Sequence, residues 1–218
     1  MISSRSRRIG VLFDLDGVLI DTERLYTEFY NDLDRIHPTG VADFAFAIKG
    51  TTIGQILERY FPDPAVKADV LRRLHEFEHT MPYPMCPGAE SLLERLRDAG
   101  IPAVVVTSSA SDKMERVYAS LPGFRDWFAD IVTADDITRT KPHPEPYLTG
   151  AARLGLEPEC CIVVEDSLQG IESGRAAGAT VVGVATTYPR SVIEPMAHIT
   201  VDSLEQLTLD TMLAAAVR

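Results

Sequence analysis

Four short runs, "IGVLFDL", "IPAVVVTS", "CIVVED" and "TVVGVAT", are rich in Val and Ile and show no apolar/polar alternation. A strand with one wet face alternates, so runs of this kind ask for burial on both faces, as in a parallel sheet covered by helices. "DIVTADD" and "HITVDS" are weaker candidates for further strands. Helix-like segments stand between them: "GAESLLERLRDAG", with Leu92, Leu93 and Leu96 at helical spacing and Gly100 as a stop, then "DKMERVYASL", "PEPYLTGAARLG" and "SLQGIESGRAAG". Strand and helix alternate from Gly88 onward, which predicts an α/β fold with a doubly wound, Rossmann-like parallel sheet.

The first strand breaks that rhythm. More than sixty residues separate it from "GAESLLERL", far more than a crossover helix needs. They read as helices, "TERLYTEFYNDLDRI", "TTIGQILERYF" and "ADVLRRLHEFEHTM", broken at Pro38, Gly40, Gly50, Pro62 and Pro64. The expected organisation is a core of residues 1–21 and 88–218 with an inserted helical cap of residues 22–87, and "MPYPMCPG" as a proline-stiffened return.

The 218 residues are 45% hydrophobic, enough for a sizeable core, and 32 acidic against 21 basic residues give a formal charge of −11. That balance disfavours nucleic acid and anionic lipid as partners, and a phosphorylated ligand would need local positive charge from a metal or a few placed Lys and Arg. "MISSRSRRIG" is followed by too few apolar residues for a signal-peptide core, and no segment approaches the roughly 20 apolar residues that span a bilayer. The expectation is a cytoplasmic protein with no obligate protein partner evident. Cys86, Cys160 and Cys161 form no disulfide framework and read as reduced, packed thiols.

Ligands of an open parallel sheet bind outside the carboxyl ends of its strands, and polar residues collect there. Asp14 and Asp16 end the first strand, Thr107 and Ser108 end "AVVVTSS", Glu165 and Asp166 end "CIVVED", and Lys141 stands in "TRTKPHPEPY". Any one of these could merely cap a turn or helix. Four carboxylates at one edge repel one another unless a cation binds, and oxygen ligands suit Mg2+. With Mg2+ and Lys141 neutralising a phosphate, Asp14 can attack as a covalent nucleophile. Asp16, two residues on and on the same side, can serve as acid and base. The Thr107 hydroxyl and nearby N–H groups would hold phosphoryl oxygens.

In order and character, "DLDGVLIDT", "VVVTSS", "TKPHPEPY" and "VVEDSLQGIESGRAAG" resemble the four motifs of the haloacid dehalogenase superfamily, more narrowly its capped phosphatase and β-phosphoglucomutase branch. The resemblance implies Asp14 as nucleophile and Asp16 as acid/base, with Mg2+ on the side chains of Asp14 and Asp166 and the main-chain carbonyl of Asp16. Glu165 would be a ligand either directly or through water. Thr107, Ser108 and Lys141 would bind phosphate, and Lys49 in the cap loop would contact substrate. The implied activity is hydrolysis of a small phosphorylated metabolite, a sugar or polyol phosphate, through an aspartyl-phosphate. Lys49 and Gly50 match the cap loop of the branch's sugar phosphomutases, but Ile53 stands where their phosphate-binding Arg would fall and Tyr26 replaces their hinge His. These departures favour a hydrolase. A dehalogenase needs neither Asp16 nor the metal, and a phospho-acceptor signalling module orders its acids differently and lacks the cap.

Other signals carry less. "HEFEH", His75 to His79, fits a zinc-protease pattern, but prolines follow and no third ligand is evident, so a charged helix face explains it. "GIESGRAAGA" reads as a helix packed closely on the sheet and Trp127 as packing, while His143, beside Lys141, fits an accessory role near the phosphate and a rigid loop before a helix equally well. The Lys141–Pro142 bond is a candidate for the cis form that X–Pro tolerates. Asp21 is expected to N-cap the first inserted helix or to brace the hinge.

Overall fold

Every Val- and Ile-rich run becomes a strand in the computed structural model, which describes residues 8–216. The strands are β1 (Gly10–Phe13), β2 (Ala103–Val106), β3 (Asp130–Val132), β4 (Cys161–Glu165), β5 (Thr180–Val184) and β6 (Ile199–Val201). All pair in parallel, in the order β3-β2-β1-β4-β5-β6. The missing alternation has its cause here, because both faces are covered. Val11, Phe13, Val105, Val164 and Val182 pack on one side with α5 (Ala89–Asp98), α6 (Ser111–Ser120) and α10 (Leu209–Ala216). Leu12, Val104, Val106, Val163 and Val181 pack on the other with α7 (Glu145–Leu154) and α8 (Leu168–Ala176). A short helix, α9 (Arg190–Ile193), leads into β6. Chain order reverses between β1 and β4, which opens a crevice at their carboxyl ends.

The residues between β1 and α5 form α1 (Glu23–Ile36), α2 (Phe44–Ala47), α3 (Ile53–Tyr60) and α4 (Pro64–Thr80). Leu33, Phe44, Ile48, Ile56, Leu57, Phe61 and Val70 give these helices a core of their own. Helix α3 starts at a capping box of Thr52 and Gln55. Helix α4 begins four residues before the expected run, because Asp63 accepts from the Ala65 and Val66 N–H groups and Pro64 fits the first turn. Helices α2 and α9 are too short for a periodic signal. The sequence reading also passed over α10, whose Met212 and Ala216 join the sheet core.

The expected N-cap at Asp21 does not form. Thr22 holds that position, its hydroxyl is committed to Asp16, and Asp21 is exposed. Bracing at this junction comes from backbone: Ile20 bridges Met85, the Asp21 N–H donates to Pro84 O at 2.8 Å, and the Cys86 N–H donates to Leu19 O at 2.9 Å. Helix α8 lies close on the sheet as expected, Trp127 packs at the core rim under the Arg97 guanidinium, and Cys86 and Cys161 are buried free thiols. The Lys141–Pro142 peptide is cis. Among the described residues, no helix is long and apolar enough to cross a membrane.

Gly88 starts α5 with φ +84°, and a Cβ there would lie 2.4 Å from the Glu205 backbone nitrogen. Gly123 has nearly the same φ, +85°, with no atom within 4 Å of a Cβ. Gly88→Ala is therefore expected to cost at least about 3 kcal/mol in urea denaturation, against about 1 kcal/mol for Gly123→Ala, the left-handed penalty alone.

Candidate active site

The carboxyl ends of β1, β2 and β4 converge on Lys141, which the loop before α7 brings into the crevice. Its buried ammonium donates to Asp14 Oδ1 at 2.7 Å, to Glu165 Oε1 at 2.7 Å and to the Val106 carbonyl at 3.1 Å. Three donors thus meet three acceptors. Burial alone would push this ammonium down, but Asp14 and Glu165 more than reverse it and hold Lys141 above its ordinary pKa.

Glu165 is wholly buried and fully occupied. Its Oε1 also accepts from the Tyr147 hydroxyl at 2.8 Å, while Oε2 takes the Asp166 N–H, the Ser167 N–H and the Ser167 hydroxyl at 2.9 to 3.0 Å. Burial opposes its ionisation, yet Lys141 and these donors hold its pKa below the usual range. Gly170 in α8 leaves room for this carboxylate, since a Cβ there would fall 1.6 Å from Oε1.

Asp14 is pushed up to about 7 by burial, with Glu165 and Asp16 adding to the shift and Lys141 opposing it. Asp166 is raised well above the carboxylate range by burial and by the charges of Glu23, Glu165 and Asp14. Among the described residues its side-chain donors are the Thr187 hydroxyl and, at 3.4 Å, the Thr186 hydroxyl, whose shorter bond goes to the Gly17 carbonyl. Asp14, Glu165 and Asp166 each bring an oxygen within 4.8 Å of the others, the one such triad among the described residues. With Glu165 saturated, Asp14 and Asp166 are the two carboxylates with oxygens to spare. Two buried acids held out of their ionised range by burial first and by neighbouring carboxylates second fit a bound divalent cation.

Asp16 sits apart from that triad. Lys113 holds both its oxygens, at 2.7 and 2.6 Å, with Ser109 at 3.2 Å and Thr22 as further donors. Thr107 is buried at the end of β2, where its hydroxyl accepts from the Ser109 N–H at 3.0 Å, and half-buried Ser108 follows it at the cavity wall. Lys49 reaches the cavity from the loop before α3, paired with Glu23.

Sequence reasoning missed Lys113, Tyr147, Thr186 and Thr187. Lys113 alone left a trace: it precedes Met114 and stands one helical turn before Val117, so it lies on the apolar side of α6. His75 and His79 contact each other on α4 with no carboxylate triad around them, and Glu78 between them turns to Arg116.

These groups floor a cavity of about 460 Å³ roofed by the inserted helices. Lys49, Lys113, Arg116 and Lys141 line it against six carboxylates, Asp14, Asp16, Glu23, Glu78, Asp112 and Asp166. Each cation has a carboxylate partner, and among the described residues Asp166 alone of the six has no cation. Gln55 Nε2 donates to Thr140 Oγ1 at 2.5 Å and the Phe46 ring meets Tyr188 at 4.8 Å, closing roof on floor.

The model of the haloacid dehalogenase-like hydrolases matches residues 10–178. The chain belongs to that family. Among haloacid dehalogenase-like relatives, hexitol phosphatase A of Escherichia coli K12 is 35% identical over 92% of this chain and 93% of its own length. Pyrophosphatase PpaX of Bacillus pumilus is 33% identical over 80% and 82%. A family IA, variant 3 hydrolase structure from Entamoeba histolytica aligns with a TM-score of 0.82 at 25% identity, covering 96% of this chain and all of that one. β-Phosphoglucomutase from Clostridium difficile shares the fold, with a TM-score of 0.81 at 24% identity over 95% and 96%.

Replacing Glu165 by Gln would set an amide NH2 against donors at Oε2 and leave Lys141 one anionic partner. Loss of about 3 kcal/mol or more is expected in urea denaturation, the range for breaking a buried pair.

Proposed function

We propose that this hydrolase is a Mg2+-dependent phosphomonoesterase acting on a small sugar or polyol phosphate through an aspartyl-phosphate on Asp14. The observation that carries the reading is the placement of Asp14, 2.7 Å from Lys141 and beside cation-free Asp166, at the floor of a roofed cavity whose other acid, Asp16, is held separately. Similarity to hexitol phosphatase A supports the substrate class. The reading includes the division into a core of residues 1–21 and 88–218 and a cap of 22–87.

Asp14 and Asp166 would hold Mg2+, which supplies Lewis-acid charge compensation for a phosphate dianion approaching a carboxylate. An Asp14 oxygen attacks phosphorus as the bond to the leaving oxygen breaks. Asp16 gives a proton to that oxygen, and as a carboxylate it then takes one from the water that attacks the phosphorus of the aspartyl-phosphate. Lys141 balances the charge of Asp14 and of the transferring group. The Thr107 hydroxyl accepts from the Ser109 N–H, which leaves its own proton for a phosphoryl oxygen, with Ser108 beside it. Glu165 positions Lys141 and the Asp166 loop. Lys49 is neutralised by Glu23 and Ile53 is apolar, so neither offers a free cation for a second phosphate, which favours hydrolysis over a mutase reaction.

A panel of sugar, polyol and short-acid phosphates with Mg2+ tests this, including glucose 1-phosphate with its bisphosphate activator. Phosphate release is expected from one or a few compounds. Asp14→Asn should abolish it, a loss of at least about 10³-fold, and EDTA should do the same until Mg2+ is restored. Isomerisation of glucose 1-phosphate without net phosphate release would replace the hydrolase reading with a mutase.

A further inference from the structure

A line of side chains runs from the acid Asp16 to the far wall of the cavity. Lys113 grips Asp16, and its Nζ lies 4.4 Å from the centre of the Tyr26 ring. The Tyr26 hydroxyl donates to Glu78 Oε1 at 2.8 Å, and Glu78 Oε2 accepts from Arg116. A leaving group whose ester oxygen meets Asp16 therefore extends along Tyr26 toward Glu78 and Arg116, both of which line the cavity.

Two features at that wall ask for a ligand. Glu78 on α4 is a carboxylate only 8% exposed, and each oxygen has one donor and an unused lone pair. Arg116 on α6 has a buried Nε–H with no hydrogen-bond partner among the described residues. Unused acceptors beside an unused donor match hydroxyl groups, which give one hydrogen bond and accept another. An anionic end group would meet the Glu78 charge, with every cation of the cavity already paired.

Resting on the phosphatase reading, we propose that Glu78 and Arg116 form the recognition site for hydroxyl groups of a neutral polyol or sugar, at the end of the substrate remote from the phosphate. The pair thereby selects against substrates carrying a second phosphate or a carboxylate.

The test compares kcat/KM for sorbitol 6-phosphate, phosphoglycolate and p-nitrophenyl phosphate, whose aryl group lacks the hydroxyls. The wild type is expected to favour sorbitol 6-phosphate over phosphoglycolate by at least about tenfold. In Glu78→Gln the ratio of sorbitol 6-phosphate to p-nitrophenyl phosphate should fall about tenfold or more, as for a lost charge-assisted hydrogen bond. Arg116→Lys keeps the charge for Glu78 and removes the Nε donor, so its ratio should fall too. A preference for phosphoglycolate, or ratios unmoved while both rates fall together, would overturn the proposal and leave the pair as a tie between α4 and α6. Absence of Asp14-dependent release from all three compounds would instead remove the phosphatase reading, and this inference with it.

Discussion

One ammonium ties the site together. Lys141 has three N–H bonds and spends them on β1, β2 and β4, through Asp14, the Val106 carbonyl and Glu165. A cation out of water is tolerated only where its partners are close and their remaining lone pairs are also met. Glu165 satisfies that condition. Five donors surround its two oxygens, and two of them are the N–H groups of Asp166 and Ser167. The bond that stabilises the lysine therefore also shapes the loop presenting Asp166. Ser167 passes the constraint on by capping α8 at Gly170, so the site is fixed before a ligand arrives, as electrostatic preorganisation requires.

The remaining charges are compensated in two different ways. Asp16, gripped by Lys113, is compensated within the protein, whereas Asp14 and Asp166 are left short of positive charge. The same residue type thus acquires different chemistry from its neighbours, two positions apart in the first case. Net acidity of the whole chain tells nothing of this, because what matters is which carboxylate lacks a cation.

Much of this was legible in the chain. The four central strands were legible because burial on both faces removes alternation, and the two edge strands less so; Asp14, Asp16, Lys141, Glu165 and Asp166 stood out only together, since each singly could cap a turn while four acids and a lysine at one sheet edge ask for a shared explanation. Lys113 was passed over because a lone lysine on a helix is ordinarily solvated, even though Met114 and Val117 mark its side of α6 as apolar. Tyr147, Thr186 and Thr187 were hidden because they act across the sheet, and tyrosine or threonine carries no periodic signal of its own. Asp21 misled for a local reason: the neighbouring Thr22 took the cap position while its hydroxyl went to Asp16. Saturation of Glu165 depends on backbone N–H directions that no residue spelling records.

The paired crossings at Ile20–Met85 and Asp21–Pro84 have a consequence for descent and engineering. The two ends of the helical segment between β1 and α5 meet there, so the chain enters and leaves it at one point. Closing a loop whose ends already touch costs little, and each doubling of its length adds only about 0.6 kcal/mol. A change of length between these two crossings would therefore add little loop-closure cost, because the backbone pairing of Ile20 with Met85 already holds the two ends together next to the loop that presents Asp14.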